Sequence, residues 1–339
     1  MRPNKPIGLL LVLMLVAAAC GDDEAEPTVT EAPIVTEAPT VTEAPPPVEG
    51  IPVGPGVDAD NKVIRLGVLA ALTGPIPAIG QSVLDGHRIY WDRVKRTGLL
   101  PDGWTVELVI EDNAYNPEQT VVVYNQIKDD VLAFSSTLGT PTTAAIAGPA
   151  ADEDILLAAS SLSSQWARTP NVILSLGSNT YVAQFANGPY WAMQVADPPI
   201  ITADTAVGII FQDDDYGGDC LVGYELALAN LGFNDTLRQT YAATDTDFSA
   251  QMAAFQAGGV EVLFICATPT PLATMIGTNA VLGYDPIIFG SSPSYNIVLP
   301  FALGGGSVGD FEAEAAGLAL FHNYYNLGTP AHFEDDFLG

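Results

Sequence analysis

Between residues 63 and 289 the chain alternates short, wholly apolar runs with longer stretches in which apolar side chains return every three or four positions. The first pattern is that of buried strands and the second that of amphipathic helices. Strands are predicted at 63–69, 104–111, 131–134, 155–159 and, more briefly, 172–176. Helices are predicted at 81–96, 117–128 and 142–151. A second series starts with strand 205–211 and continues as helix 217–231, strand 236–241, helix 247–257, strand 260–266, helix 270–282 and strand 286–289. A further apolar run at 316–320 reads as a strand. Alternation of this kind predicts an α/β chain with parallel sheets covered by helices on both faces. Two series joined around 177–204 predict two doubly wound lobes, the first at 61–180 (completed in part by 316–339) and the second at 181–315.

In such sheets ligands sit beyond the carboxyl ends of the strands. The turns expected there read TGPIPAIG, SSTLGTPTT, ASSLSSQW, QDDDYGGD, CATPTP and GSSPSYN: rich in Gly, Ser, Thr and Tyr, poor in His and Lys. That composition suits recognition better than proton transfer. The stretch SSTLGTPTTA at 135–144 stands out. A strand ending in Gly-Thr-Pro and opening a helix turns backbone N–H groups toward the turn, a ready anion site. Thr140 and Thr143 add hydroxyls there, and Gly139 permits close approach to the backbone. The alternative is an ordinary strand-to-helix turn with a Thr cap.

Residues ahead of 61 stand outside this pattern. Arg2 and Lys5 precede an apolar stretch at 7–19 that ends in small residues, which reads as a signal peptide at 1–19. The sequence Ala17-Ala18-Ala19-Cys20-Gly21 resembles a bacterial lipobox, so Cys20 is the expected lipidation site; plain secretion is the alternative. Residues 28–45 repeat TVTEAP, IVTEAP, TVTEAP, which cannot bury enough apolar surface to fold. The segment 20–60 therefore reads as a disordered tether, with twenty Pro-rich residues reaching roughly 60 Å.

Charge narrows the function classes. Eleven Lys and Arg against forty Asp and Glu give a net charge of −29. Nucleic acid, which needs basic patches, is excluded as a partner. Beyond Cys20 only Cys220 and Cys266 remain. They read as two buried thiols, although a disulfide is compatible with an extracytoplasmic compartment.

Sharper chemical motifs fail on context. Residues 305–309, GGSVG, match a nucleophile elbow, yet a Gly run precedes Ser307 where that motif requires a strand. No Lys follows 74–80 to make a phosphate loop. Asp213, Asp214, Asp215 and Asp219 fit no EF-hand spacing and read as a solvated acidic turn. His87, His322 and His332 lack metal-ligand spacing, and no metal or cofactor is expected.

TGPIPAIG, EDNAYNPEQTV, GTPTTA, QDDDYGGD, FSAQMAAFQAGGVEVLF and CATPTP, in that order, resemble the extracytoplasmic solute-binding proteins of ABC importers. The resemblance is to the leucine/isoleucine/valine-binding class of the type I periplasmic-binding-protein fold, over about residues 62–320. It implies a non-enzymatic, monomeric, lipid-anchored receptor that closes two lobes on a small amino-acid-like solute and delivers it to permease subunits. A sensory ligand-binding module on the same fold is the alternative. The resemblance places a carboxylate grip at Thr140 and at Ser161 and Ser163. It places a side-chain wall at Ile79, a closing tyrosine at Tyr216 and a further contact at Thr268. Where amino-acid binders carry a glutamate for the ligand ammonium, this chain has Ser292, which has no charge to offer. Relatives of this class also continue well past residue 320, so the chain reads as C-terminally truncated.

Overall fold

The computed structural model describes residues 54–168, 173–175 and 179–328. Cys20, the signal segment, the repeats and His332 lie outside those residues. The first half runs β1 (Val57–Asp58), β2 (Val63–Ala70), α1 (Pro77–Thr97), β3 (Thr105–Asp112), α2 (Pro117–Ile127), β4 (Ala133–Leu138), α3 (Thr140–Asp152), β5 (Leu157–Ser160), α4 (Gln165–Arg168) and β6 (Ile173–Ser175). The second runs α5 (Tyr181–Tyr190), β7 (Ala206–Gln212), α6 (Asp215–Leu231), β8 (Asn234–Tyr241), α7 (Ser249–Ala257), β9 (Val262–Cys266), α8 (Pro269–Leu282), β10 (Ile287–Gly290), α9 (Leu299–Leu303), α10 (Phe311–Leu318) and β11 (Tyr324–Asn326).

Two sheets form. In the first, β3, β2, β4, β5 and β6 lie side by side and parallel, with the short β1 antiparallel on the start of β2. In the second the order is β8, β7, β9, β10, β11, parallel throughout. The two windings are the same. Each chain segment starts one strand in from the edge, crosses outward, then reverses, so each sheet has a switch point: between β2 and β4, and between β7 and β9. Crevices at switch points are where open α/β sheets bind ligands.

Helices cover both faces of the second sheet. Phe185, Tyr224, Phe264 and Phe289 fill one side; Met252, Phe255, Leu272 and Met275 fill the other. In the first sheet Leu69, Tyr124, Phe134, Ile146 and Leu157 make one core beneath α2 and α3. The opposite core is smaller, with Val68, Ala70 and Leu84 under α1. On that side Leu156 and Leu174 remain 40% and 52% exposed.

Four expectations are corrected. The strand expected at 131–134 runs to Leu138, because its hydroxyls are satisfied inside the sheet. Ser136 Oγ meets Ser160 Oγ at 2.9 Å and Thr137 Oγ1 meets Thr143 Oγ1 at 2.8 Å, which removes the penalty for burying them. The run at 316–320 is helical. Asp310 caps α10 by accepting from the Glu312 and Ala313 N–H groups, and the Ala/Glu/Leu composition sustains the helix. The strand that follows, β11, pairs with β10 in the second sheet, so residues 324–326 extend that sheet and not the first. Finally, Cys220 and Cys266 are not two thiols but one disulfide, between α6 and the end of β9, with both residues fully buried. Packing of α6 across β9 brings their Cα atoms to 6.3 Å, within bridging range.

Candidate ligand-binding cleft

The turns after β4 and β5 meet at the carboxyl edge of the first sheet. Gly139 ends β4 with a φ of 108°, and a Cβ there would lie 2.5 Å from the Tyr115 ring and 2.7 Å from Thr142 Oγ1. Only glycine fits. The hydroxyls that follow divide their work. Thr142 donates back to Leu138 and Gly139 carbonyls, and Thr143 to those of Thr137 and Gly139, so both serve the turn itself. The capping hydroxyl of an ordinary helix start is absent. Thr140, at the first helical position, instead points at the neighbouring turn and shares a 2.7 Å hydrogen bond with Ser161.

Ser161 is the hub of that turn. Its Oγ also accepts from Trp166 Nε1 at 3.1 Å and from the Ser163 N–H at 3.3 Å. Ser163, buried, uses its own Oγ to accept from Gln165 N–H at 3.4 Å. Consecutive hydroxyl-to-backbone turns of this kind fix a loop locally.

Tyr181, at the start of α5, reaches from the second lobe to the first. Its ring packs edge-on against Tyr216 with centroids 4.7 Å apart. Burial pushes its hydroxyl up to about 12, partly offset by hydrogen bonding with the Leu162 backbone, Ser161 and Thr140. Tyr216 lies beneath it, 2% exposed, its hydroxyl donating to the Ala267 carbonyl and sharing a 2.5 Å bond with Ser291. The structure therefore sets Tyr216 in the floor of the second lobe with Tyr181 over it.

The remaining sites separate. Ile79, Ser161 and Ser292 line one cavity of about 830 Å³ together with Tyr181, Leu162 and Leu138. This cavity runs from the cleft along the Val83, His87 and Tyr90 side of α1, over the first sheet. Its lining holds no Lys, Arg, Asp or Glu among the described residues; His87, whose pKa burial lowers, is its one ionisable nitrogen base. Thr140, Ser163, Tyr216 and Thr268 do not line it. Thr268 is buried at the start of α8. Ser292 is engaged by Gln184, whose Nε2 donates to its Oγ (3.0 Å) while its N–H donates to Gln184 Oε1 (2.8 Å).

Several groups here carry no local sequence signal because their partners are far along the chain. Gln212 Nε2 donates to Tyr115 Oη at 3.2 Å across the lobes, and to Asp214. Asp214 caps α6 through the Tyr216 and Gly217 N–H groups, and burial raises its carboxyl above the ordinary range. Asp219 crosses to Ser164. The acidic run is thus split: Asp213 and Asp215 are exposed, Asp214 and Asp219 are structural. Ser307 sits in the turn between α9 and α10, without the strand-to-helix setting of a nucleophile elbow.

Comparison with known proteins agrees with this architecture. The family model described as periplasmic binding protein matches residues 63–335. The Leu/Ile/Val-binding protein homolog 3 of Brucella melitensis is 27% identical over 202 residues, 59% of this chain and 53% of its own length. This chain spans about half the length of the curated relatives it matches. A solved fatty acid ABC transporter substrate-binding protein from Thermomonospora curvata superposes with a TM-score of 0.71 at 27% identity, covering 82% of this chain and 66% of that one. A branched chain amino acid ABC transporter protein from Thermus thermophilus with bound valine shares the fold, with a TM-score of 0.62 at 18% identity, over 72% and 62% of the two chains.

Proposed function

The chain belongs to the periplasmic binding protein family, and on that premise we propose that it captures a small carboxylate with an apolar body outside the cytoplasm and presents it to an ABC permease. The observation that carries this reading is the pairing of Thr140 and Ser161, from two adjacent turns, beside a cavity lined mainly by apolar and aromatic side chains with a few serines. Hydroxyl donors at the start of a helix favour an anion, and apolar walls favour a hydrocarbon body. The absence of an acidic side chain from the described lining favours a ligand without an ammonium group. The Thermomonospora curvata neighbour, a fatty acid ABC transporter substrate-binding protein, is in keeping with that chemistry. An amino acid is the second reading, favoured by the Leu/Ile/Val-binding relatives.

The buried Cys220–Cys266 disulfide supports an oxidising compartment. Cys20 then serves as the lipid anchor and the Thr/Glu/Pro repeats as its spacer. Titration calorimetry with valine, leucine, butyrate, decanoate and glutamine tests the assignment. The carboxylates without an amine bind, and Thr140→Ala weakens them by roughly tenfold or more. Heat with none of the five, or an unchanged affinity in Thr140→Ala, refutes it.

A further inference from the structure

Asp219 lies on α6 in the second lobe and Ser164 lies in the first, yet both carboxylate oxygens of Asp219 are used by that serine. The Ser164 N–H donates to Oδ2 at 2.8 Å and its hydroxyl to Oδ1 at 2.5 Å. The other ties described between the lobes, Gln212 to Tyr115 and Tyr181 to Thr140 and Ser161, join neutral side chains. The Asp219 pair is charge-assisted and two-pronged, the stronger geometry.

Asp219 does not line the cavity. Ser164, however, ends the same turn that carries Ser161 and Ser163, and that turn is fixed by its own hydroxyl-to-backbone bonds. The group that grips across the lobes and the group placed to grip a solute are therefore three residues apart on one stiff loop. We propose that Asp219 is a closure latch: a positioning residue that sets the fraction of molecules with closed lobes without touching the solute. Apparent affinity scales with that fraction, since a dissociation constant is the intrinsic value divided by the closed population. Two charge-assisted bonds lost together lower the closed-to-open ratio by roughly tenfold or more. The consequence for affinity rests on the solute-capture reading; the latch itself does not.

The test uses the full chain carrying spin labels at Val122→Cys and Val281→Cys, exposed sites on α2 and α8. Without any added solute, the wild-type background gives a short, narrow distance distribution. Asp219→Ala shifts it longer and broader, with the far-ultraviolet circular dichroism of both lobes retained; Asp219→Asn, which keeps one acceptor oxygen, falls between. Ser164→Ala, which keeps the N–H, shifts it less than Asp219→Ala and covers the case in which the latter fails to fold. A distribution that none of these variants changes overturns the latch. With valine and decanoate as probes, a wild-type protein that binds neither refutes the solute reading, while the distances still decide the latch.

Discussion

Replacing both Cys220 and Cys266 by alanine removes a cross-link that spans 46 residues of sequence. In the chain-entropy account, opening a loop of that size returns roughly 13 cal/mol/K to the unfolded chain, about 4 kcal/mol at 25 °C. Both side chains are fully buried, Cys220 against Tyr216, Tyr224 and Phe264 in one cluster, so alanine also leaves a small void in a packed region. The loop contains α6, β8, α7 and β9, all within the second lobe, so the loss falls there. Urea unfolding followed by hydrogen exchange checks both parts. The double variant, or wild type under reductant in mild urea, unfolds its second lobe with about 3–5 kcal/mol less stability, while amides of β2, β4 and β5 keep their protection. A loss under about 1 kcal/mol, or a loss shared equally by the two lobes, refutes the reasoning.

Three further outcomes follow from the cleft. Ser161→Ala removes the hub that holds Thr140, Trp166 and the Ser163 backbone together; decanoate affinity measured by calorimetry falls by roughly tenfold or more, with Ser161→Thr recovering part of it. Gly139→Ala forces a Cβ into Tyr115 and Thr142 at a positive φ, and its urea midpoint corresponds to a loss of about 1–3 kcal/mol. Asp214→Asn keeps the α6 cap but abolishes a carboxylate whose folded pKa is raised, chiefly by burial. A raised carboxyl pKa means the folded state holds its proton longer than the unfolded one, so wild-type stability falls as pH rises from the ordinary carboxylate range through the folded value. The advantage of the variant over wild type in thermal unfolding therefore grows from pH 4 to pH 7.

The βα alternation was legible because the central strands β2, β7, β9 and β10 are largely apolar runs bounded by Gly, Pro or polar turns. Legibility failed where hydroxyls did the work of apolar groups. Ser135, Ser136 and Thr137 look like loop, yet they belong to β4 because the Gly67 carbonyl, Ser160 and Thr143 complete their bonding. It failed again at 316–320, where a short apolar run resembles a strand although it has no β-branched residue and Asp310 and two glutamates mark a helix start. The disulfide was invisible for a different reason: two cysteines 46 residues apart carry no spacing signal, and only the packing of α6 on β9 brings them together. Tyr115, Gln184, Gln212 and Asp219 share that limit. Their partners lie 97, 108, 97 and 55 residues away, so no local pattern marks them.

Ser292 shows how a long-range partner changes the meaning of a position. Read alone, a serine where amino-acid binders hold a glutamate is a ligand group that has lost its charge. In the fold it is half of a reciprocal pair with Gln184. The same amide also donates to the Asn179 carbonyl, and Asn179 in turn donates to the carbonyls of Leu327 and Gly328. Those contacts gather the segments at 179 and 327–328, where one series of strands hands over to the other. Gln184 Nε2 gives one of its two protons to the Ser292 hydroxyl and the other to the Asn179 carbonyl, so a glutamate at 292 would put a longer, charged side chain where the short hydroxyl now fits. The serine is therefore part of a fixed joint, and it gives the end of the cavity it lines a neutral group. A zwitterion entering there would surrender the hydration of its ammonium without an ionic partner, a penalty that an amine-free carboxylate does not meet.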